Sequence, residues 1–305
     1  MGKLAFVFSG QGAQAPGMGL DLYEHSPAAR AVFDRCEAIR PGTLEQCFRG
    51  SEEELKETAN TQPCMVAMEL AALASAREAG FEPDMTAGFS LGELSALHCA
   101  GAMEEDTAFR LVCRRGELMQ QAAEKQRTGM AAVVKLTDGA VEKLCSGFRQ
   151  VWPVNYNCPG QVTVSGAEEE MAAFAAAVKA AGGRAIPLKE RGAFHSPFMA
   201  EAGKAFQAEL DAALLQSPRI PVYANFTGEP YGADLAAVLG QQMFSPVRWE
   251  ASVRGMIAAG ADTFVELGPG KTLCGLIGKI DAAVRCFPLS KMDDLEELRK
   301  ELRLC

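Results

Sequence analysis

The sequence predicts an α/β fold in which a small domain is inserted into a large one. Short apolar runs of strand length alternate with stretches of helical periodicity. Between residues 128 and 190 the alternation changes to the order βαββαβ, the ferredoxin-like pattern. The 305 residues are 48% hydrophobic and 23% charged, the proportions of a globular chain with ample material for a core. We therefore expect a large α/β domain over residues 1–127 and 191–305, with residues 128–190 as the insert.

The first 127 residues are predicted to alternate strands and helices. Lys3–Phe8 is an apolar run that ends in Ser9-Gly10-Gln11-Gly12, which is typical of a buried strand entering a loop. Residues 20–60 are helical in pattern, and the acidic residues 52–54 resemble a helix N-terminus. The later elements are a helix over Thr61–Ala79, a strand over Asp84–Gly88, and helices over Ser90–Cys99 and Met103–Ala123.

The predicted insert contains four strands and two helices. Its strands are Met130–Leu136, Val151–Tyr156, Val162–Ser165 and Arg184–Leu188, and its helices are Asp138–Ser146 and Ala167–Ala181. After the insert, longer helices resume around buried-strand runs at Val222–Ala224 and Thr263–Glu266.

The charge balance excludes several classes of partner. Thirty Lys and Arg residues against 39 Asp and Glu residues give a net charge of −9, which disfavours broad binding to nucleic acid or to an anionic membrane surface. An anionic ligand must therefore meet locally placed cations. No apolar run reaches the length of about 18 residues that a membrane span needs, and the amino-terminal run is too short for a signal sequence. We expect a cytoplasmic protein.

The spacing of the cysteine and histidine residues does not indicate a metal site. The ten cysteines form no C-x-x-C pair and no Cys/His cluster, and the three histidines are spread along the chain. We expect most of the cysteines to be buried small hydrophobic residues in a reducing compartment.

The segment Gly88-Phe89-Ser90-Leu91-Gly92 is the strongest chemical signal. It follows a predicted strand and opens a predicted helix, the context in which G-x-S-x-G forms a nucleophile elbow. The serine hydroxyl would stand at a helix N-terminus, where the amide of Leu91 can stabilise an oxyanion. The alternative is a plain helix cap, in which Ser90 and Glu93 form an S-x-x-E capping box.

A serine nucleophile needs a base, and three histidines are available. His98 lies about 12 Å along the same predicted helix, which is too far from Ser90. His25 lies in an ordinary polar turn. His195 lies in the loop that follows the last strand of the insert, where a domain junction can present it to a cleft. Elimination favours His195 as the base. The alternative is that His195 is a loop histidine whose ring nitrogens have hydrogen-bond partners and that has no catalytic role.

Two further features have competing interpretations. Residues 10–15 fit the dinucleotide fingerprint G-x-G-x-x-A, but Asp34 lies within a helical pattern and no βαβ unit closes by residue 40. The loop can instead supply a second amide to an oxyanion hole. Arg114 and Arg115 lie on a largely apolar helix. Periodicity favours two surface charges, and the alternative is a desolvated carboxylate clamp.

Several motifs together resemble one known family over nearly the whole chain. In order and spacing they are similar to the malonyl-CoA:acyl carrier protein transacylases of fatty acid synthesis. The segments that carry this resemblance are residues 8–14, Thr61-Gln62-Pro63, residues 88–93, Arg115-Gly116 with Met119-Gln120, residues 157–161, Phe194-His195-Ser196, Ser245-Pro246-Val247 with Trp249, and residues 266–271.

The resemblance implies an α/β-hydrolase-like large domain with a ferredoxin-like insert. It also implies transfer of a malonyl group from malonyl-CoA to the phosphopantetheine thiol of an acyl carrier protein, through an acyl ester on the serine and with no metal or cofactor. The implied roles are Ser90 as nucleophile, His195 as base, the amides of Gln11 and Leu91 as oxyanion hole, the main-chain carbonyl near Gln242 as the group that orients His195, and Arg115, Phe194 and Asn157 as substrate-binding residues.

Two residues depart from the family pattern. Phe89 stands where the family usually has histidine, and Ser9 stands where it usually has proline. Because His195 supplies the base, Phe89 affects pocket polarity and substrate choice but not the basic chemistry. Phe194 resembles the form associated with malonyl units over methylmalonyl units. The remaining alternatives are a discrete acyltransferase of a polyketide assembly line and a serine thioesterase or hydrolase, which would add an Asp or Glu to complete a triad.

Overall fold

The computed structural model describes residues 2–188 and 192–302. These residues form a mixed α/β fold with two separate sheets. The strands are β1 (Lys3–Phe8), β2 (Met85–Gly88), β3 (Thr128–Val134), β4 (Val151–Cys158), β5 (Gln161–Ala167), β6 (Arg184–Pro187), β7 (Val222–Tyr223), β8 (Ala261–Leu267) and β9 (Arg285–Leu289). The helices are α1 (Leu20–His25), α2 (Pro27–Ile39), α3 (Thr43–Arg49), α4 (Thr58–Glu78), α5 (Gly92–Cys99), α6 (Glu105–Glu124), α7 (Asp138–Cys145), α8 (Glu168–Ala180), α9 (Ala200–Ala212), α10 (Leu235–Gln242), α11 (Trp249–Ala258), α12 (Thr272–Ile280) and α13 (Met292–Leu302).

The larger sheet is parallel, in the order β7-β2-β1-β8-β9. Its central strand β1 is buried on both faces, because Phe6 and Phe8 pack into one hydrophobic cluster while Ala5 and Val7 pack into another. Helices cover both faces of such a sheet, so its strands are continuously apolar. This explains why the first strand is an unbroken apolar run in the sequence.

The smaller sheet is antiparallel, in the order β4-β5-β3-β6. Its helices α7 and α8 enclose a separate valine-rich cluster that includes Val133, Val162, Val164 and Phe174. Two main-chain hydrogen bonds tie β4 to the segment before α11: Tyr156 N to Val247 O at 2.9 Å, and Val247 N to Val154 O at 2.8 Å. The small sheet is therefore fastened to the rest of the chain beside Trp249.

The predicted class is confirmed, and most element boundaries differ from the observed ones by only a few residues. The acidic segment 52–54 is the exception, because it leads into a single 3₁₀ turn over Glu54–Lys56 and the next α-helix begins at Thr58. Strand β9 and helix α13 are not among the elements predicted from the sequence. The long helix α4 is buried on nearly every side, which a short apolar periodicity does not reveal.

Cysteine burial follows the prediction in most positions. The cysteines described as free are Cys36, Cys47, Cys64, Cys99, Cys113, Cys145 and Cys158, and only Cys113 among them is partly exposed. Cys274 on α12 and Cys286 on β9 form a disulfide, a pairing that the sequence does not predict because their twelve-residue separation fits no motif. In the portion of the chain that the structure describes, no His, Cys, Asp and Glu residues cluster as a metal site, and no helix has the length and apolarity to cross a membrane.

Candidate active site

The segment that joins β2 to α5 forms a sharp elbow with Ser90 at its tip. Ser90 has a φ of +56°, in the left-handed region that non-glycine residues rarely adopt. A Cβ atom on Gly88 would lie 1.9 Å from the carbonyl group of Gly92, and a Cβ atom on Gly92 would lie 2.6 Å from the carbonyl oxygens of Phe8 and Ser9. Only glycine fits at either position, which is the physical reason for the G-x-S-x-G spacing.

Asn225 holds the elbow in place from the loop after β7. Its Oδ1 accepts a hydrogen bond from the main-chain N–H of Ser90 at 2.7 Å, and its Nδ2 donates to the carbonyl oxygen of Gly88 at 2.6 Å. One buried amide thus satisfies two main-chain groups on either side of Phe89. No motif in the sequence points to this residue, because the contact depends on strand β7 lying beside β2.

His195 is brought to Ser90 from a distant loop. Its Nε2 lies 2.8 Å from Ser90 Oγ, and its Nδ1 lies 2.8 Å from the main-chain carbonyl oxygen of Gln242. A carbonyl oxygen can only accept, so Nδ1 carries the hydrogen and Nε2 is free to accept from the serine hydroxyl. His195 also has a positive φ of +59°, and its N–H donates to the carbonyl oxygen of Met243 at 3.1 Å.

The environment of His195 keeps the imidazole neutral. Burial and the positive charge of Arg115 lower the pKa of His195 to about 4, against smaller opposing effects of the Gln242 and Ser245 carbonyl groups. The other two histidines lie elsewhere. His98 Nδ1 is 3.1 Å from the carbonyl oxygen of Met103, and the exposed His25 contacts the carbonyl oxygen of Asp21.

Arg115 lies in the site, whereas its neighbour Arg114 does not. Arg115 is 1% exposed, and its Nη2 lies 3.1 Å from Ser90 Oγ. Its other contacts are with neutral amide oxygens: Nη1 donates to Gln62 Oε1 and Nη2 donates to Gln242 Oε1, both at 2.7 Å. Burial lowers the pKa of Arg115 to about 10, so the group stays a cation at neutral pH. The interpretation as two surface charges is therefore wrong for Arg115.

Arg114 lies at the surface, as helix periodicity predicts. It is half-exposed and forms ion pairs with Glu117 and Glu209, both at 3.0 Å. Helix periodicity alone cannot separate the two arginines, because a desolvated cation is expensive and requires partners from other elements. Gln62 lies on α4 and Gln242 at the end of α10, so those partners appear only in three dimensions.

The loop that contains Gln11 lies beside the elbow. Strands β1 and β2 are parallel, with Phe8 paired to Gly88, and the N–H of Phe89 donates to the carbonyl oxygen of Phe8 at 2.9 Å. Both loops therefore leave the same carboxyl edge of the sheet, the usual place for a binding site in an α/β fold. The short helix after this loop, and the hydrogen bond from the hydroxyl of Tyr23 to Asp34 within the helical layer, do not fit the dinucleotide fingerprint.

Asn157 and Phe194 are both buried near the junction of the two sheets. Asn157 is the penultimate residue of β4, and its Nδ2 donates to Thr163 Oγ1 at 3.1 Å. Its Oδ1 has no hydrogen-bond partner in the described part of the chain, so this acceptor stays available. Phe194 is 6% exposed and directly precedes His195. Phe89 packs against Trp249, with ring centroids 5.5 Å apart, so the residue that departs from the family pattern belongs to an aromatic pair.

The capping-box interpretation of Ser90 and Glu93 is wrong. Helix α5 begins without a side-chain cap, and Glu93 turns away from the helix end into a buried network. Its carboxylate accepts hydrogen bonds from the Tyr231 hydroxyl, the N–H of Asn225 and Nε2 of Gln242. Sequence reasoning missed Glu93 as part of the site, although it lies only three residues from Ser90.

The arrangement can carry out acyl transfer through a serine. The hydroxyl of Ser90 has an acceptor for its proton at His195 Nε2, lies at a helix N-terminus, and has a buried cation 3.1 Å away. A buried arginine whose other partners are neutral is suited to bind a planar carboxylate on the acyl group. Fold and site together define the class of acyl-transfer enzymes that use a serine.

Comparisons with known proteins give the family within this class. A family model described as the acyl transferase domain matches residues 5–279. The malonyl CoA-acyl carrier protein transacylase of Bacillus subtilis is 38% identical over 304 residues, which cover 97% of this chain and 96% of the relative. The Escherichia coli K12 protein of the same name is 37% identical over 288 residues, 92% of this chain and 93% of the relative.

Solved structures agree with the sequence relatives. The malonyl CoA-acyl carrier protein transacylase of Clostridium perfringens superposes with a TM-score of 0.95 at 33% identity, over 99% of this chain and 97% of that chain. A malonyl-transacylase solved in complex with a type II PKS acyl-carrier protein has a TM-score of 0.94 at 32% identity, over 98% and 99% of the two chains. This chain belongs to the acyl transferase family, among the malonyl CoA-acyl carrier protein transacylases.

Proposed function

We propose that this protein transfers the malonyl group from malonyl-CoA to the phosphopantetheine thiol of an acyl carrier protein, for fatty acid synthesis. One observation carries the proposal: the guanidinium of Arg115 lies 3.1 Å from Ser90 Oγ and is otherwise held by neutral amide oxygens. A malonyl thioester offers a free carboxylate to this cation while its thioester carbonyl lies at the serine. An acetyl thioester has no group for Arg115 to bind.

In the first half-reaction, Ser90 Oγ attacks the thioester carbonyl and its proton passes to His195 Nε2. The amides of Gln11 and Leu91 would hold the oxyanion, and the proton leaves with the CoA sulfur as the thioester bond breaks. In the second half-reaction, the carrier thiol gives its proton to His195 and attacks the carbonyl carbon of the Ser90 ester. The bond between Ser90 Oγ and the acyl group then breaks, and His195 returns the proton to Ser90 Oγ. The cycle needs no redox step, and we assign it no cofactor.

Binding of the malonyl carboxylate also makes His195 a better base. The positive charge of Arg115 lowers the pKa of His195 in the free enzyme. A carboxylate on Arg115 offsets that charge, so the imidazole accepts the serine proton more readily once malonyl-CoA is in place. Asn157, whose Oδ1 has no partner among the described residues, and Phe194 are the further residues that we assign to substrate binding.

The finer description of the fold is part of the proposal. We infer an α/β-hydrolase-like domain over residues 1–127 and 191–305, with a ferredoxin-like insert over residues 128–190. The parallel sheet with a serine elbow supports the first assignment, and the βαββαβ element order with sheet order β4-β5-β3-β6 supports the second. The cytoplasmic location stays a prediction from the sequence.

The first test is the mass of the intact protein after incubation with malonyl-CoA alone. We expect one malonyl ester per chain on Ser90, and none on the Ser90→Ala variant. Acylation that persists in this variant, or that maps to a cysteine, would falsify the assignment of the nucleophile. Burial raises the pKa of the Cys99 and Cys145 thiols to about 12, so these groups are poor competitors.

A second incubation separates the proposed function from the two alternatives. Addition of an acyl carrier protein with its phosphopantetheine arm should move the malonyl group from Ser90 to the carrier. A thioesterase or hydrolase would instead release malonate to water without any carrier. A fatty acid carrier and a type II polyketide carrier, compared at equal concentration, test the pathway; faster transfer to the polyketide carrier would contradict the proposed role in fatty acid synthesis.

A further inference from the structure

The side chain of Gln242 connects three parts of the site. Its Oε1 accepts a hydrogen bond from Arg115 Nη2 at 2.7 Å. Its Nε2 donates to the carbonyl oxygen of Ser90 at 2.6 Å and to Glu93 Oε2 at 2.7 Å. These contacts are separate from the main-chain carbonyl of Gln242 that faces His195. The side chain and the main chain of one residue therefore contact different catalytic groups.

The amide of Gln242 can be oriented in two ways, and its neighbours select one of them. An amide has one end that accepts hydrogen bonds and one that donates them. Two acceptors, Ser90 O and Glu93 Oε2, face one end, so that end must be the NH₂ group. The oxygen is then the end that faces the guanidinium of Arg115. The opposite orientation would bring an NH₂ group against a buried cation.

Glu93 is itself held so that one oxygen is reserved for Gln242. Its Oε1 accepts from the Tyr231 hydroxyl at 2.6 Å and from the N–H of Asn225 at 2.9 Å. Its Oε2 accepts from Gln242. The residue is completely buried, and burial raises its pKa to about 7 against the opposing effect of these hydrogen bonds and of Arg115. Burial of a carboxylate is energetically unfavourable, so its presence here indicates a role other than hydrophobic packing.

We propose that Glu93 is a positioning residue for acyl-group selection: it sets the orientation of the Gln242 amide, which holds Arg115 through a neutral oxygen and leaves its positive charge for the acyl carboxylate. The inference rests on the proposed malonyl transfer. A carboxylate in direct contact with Arg115 would hold the guanidinium equally well but would compete with the substrate. Two neutral contacts, from Gln62 and Gln242, orient the cation without this competition.

The substitution Glu93→Gln tests the orientation directly. It preserves size and can still accept from Tyr231 and Asn225, but it replaces the acceptor that faces Gln242 with an NH₂ group. The amide of Gln242 must then turn, which directs its own NH₂ group at Arg115 and its oxygen at the carbonyl of Ser90. We expect the kcat/KM for malonyl acylation of Ser90 to fall about 10- to 100-fold, the cost of one lost hydrogen bond to a charged group.

Acetyl acylation separates a positioning role from a purely structural one, because general damage to the site would slow both acyl groups. It uses Ser90, His195 and the main-chain carbonyl of Gln242 but not the charge of Arg115, so we expect it to change much less. Glu69→Gln is the matched control, because it makes the same substitution at another fully buried carboxyl group, whose described hydrogen bond comes from Ser95 Oγ and not from Gln242. This variant should keep the wild-type ratio of malonyl to acetyl acylation.

Gln242→Met keeps the test decisive if Glu93→Gln does not fold. Methionine has a similar length, retains the main-chain carbonyl for His195, and offers Arg115 no amide oxygen. We expect the malonyl-to-acetyl ratio to fall here as well. A wild-type ratio in either folded variant overturns the positioning role, as does an equal loss in Glu69→Gln. If the wild-type protein is not acylated by malonyl-CoA, the proposed function itself fails.

Discussion

The main-chain carbonyl oxygen of Gln242 lies 2.8 Å from Nδ1 of His195, at the place where many serine enzymes have a carboxylate. A neutral carbonyl fixes the same tautomer of the imidazole, because it can only accept a hydrogen bond. It stabilises the protonated imidazole less than a carboxylate does. This weaker support suits exchange between thioesters through a serine ester, which is an easier reaction than amide cleavage.

This contact predicts that no acidic residue acts as a third member of a triad. Neutralising any single carboxylate, including Glu93, Glu69 or Glu266, should cost far less than the roughly 10⁴-fold loss seen when a triad acid is neutralised. His195→Ala should lower the rate of Ser90 acylation by about 10²-fold or more, through loss of the general base. Rapid-quench acylation assays would measure both. A 10⁴-fold loss for one Asp→Asn or Glu→Gln variant would favour the hydrolase alternative.

Arg115 is expected to decide which acyl groups are accepted. Arg115→Ala removes a charge-assisted contact of roughly 1.5–3 kcal/mol, so malonyl transfer should fall by about 10- to 100-fold. Acetyl transfer should fall little or rise, since its acyl group has no carboxylate. Arg114→Ala is the matched control and should leave both rates near wild type, because Arg114 is paired at the surface. Equal losses for malonyl and acetyl groups would make Arg115 structural.

The pH dependence of acylation should follow His195. Its pKa is lowered to about 4, so the imidazole is neutral and able to act as a base above that pH. Acetyl acylation, which does not depend on the Gln242 orientation that Glu93 sets, isolates this group: its kcat/KM should decline as the pH falls through about 4, well below the usual range for histidine. In Arg115→Ala the nearby positive charge is gone and the pKa of His195 rises, so the decline should shift to higher pH. An unchanged profile would show that another group controls this limb.

Docking of an acidic carrier protein requires local cations on a chain whose net charge is −9. Lys189 and Arg191, which shortly precede His195 in the chain, are our candidates for these cations, with Lys271 as a further one. Lys189 and Arg191 lie outside the described residues, whereas Lys271 is exposed just after the carboxyl end of β8. Charge reversal at these positions should raise the KM for the carrier and weaken its salt dependence, without affecting acylation by malonyl-CoA.

A charge reversal of the same size on α13, Arg299→Glu, serves as the control for that experiment. Arg299 is paired with Glu296 on its own helix. The carrier KM of this variant should match wild type. If Lys271→Glu leaves the carrier KM unchanged at low salt, where charge effects are strongest, Lys271 is not part of the interface.

The elements of the fold were predictable where local signals are strong. Strand β1 is a short apolar run before a glycine-rich loop, and α5 follows a glycine-serine-glycine turn, so both have sequence signatures. The same holds for Ser90, because the elbow is a local feature. His195 was predictable by elimination among three histidines, and the resemblance then implied Arg115 and Gln242. The burial and the contacts of these two residues were not predictable from periodicity.

Thus the sequence by itself determined the α/β class, the βαββαβ element order and the serine elbow between β2 and α5, since these depend on residues close together in the chain. Only the tertiary structure decided that the Glu93 side chain joins a buried hydrogen-bond network instead of capping its helix, and that Asn225 holds the elbow in place. It also decided that Arg115 is buried while Arg114 is half-exposed. Those outcomes depend on contacts between residues from 25 to 149 positions apart. Local propensity contains no information about which distant partner will satisfy a buried charge.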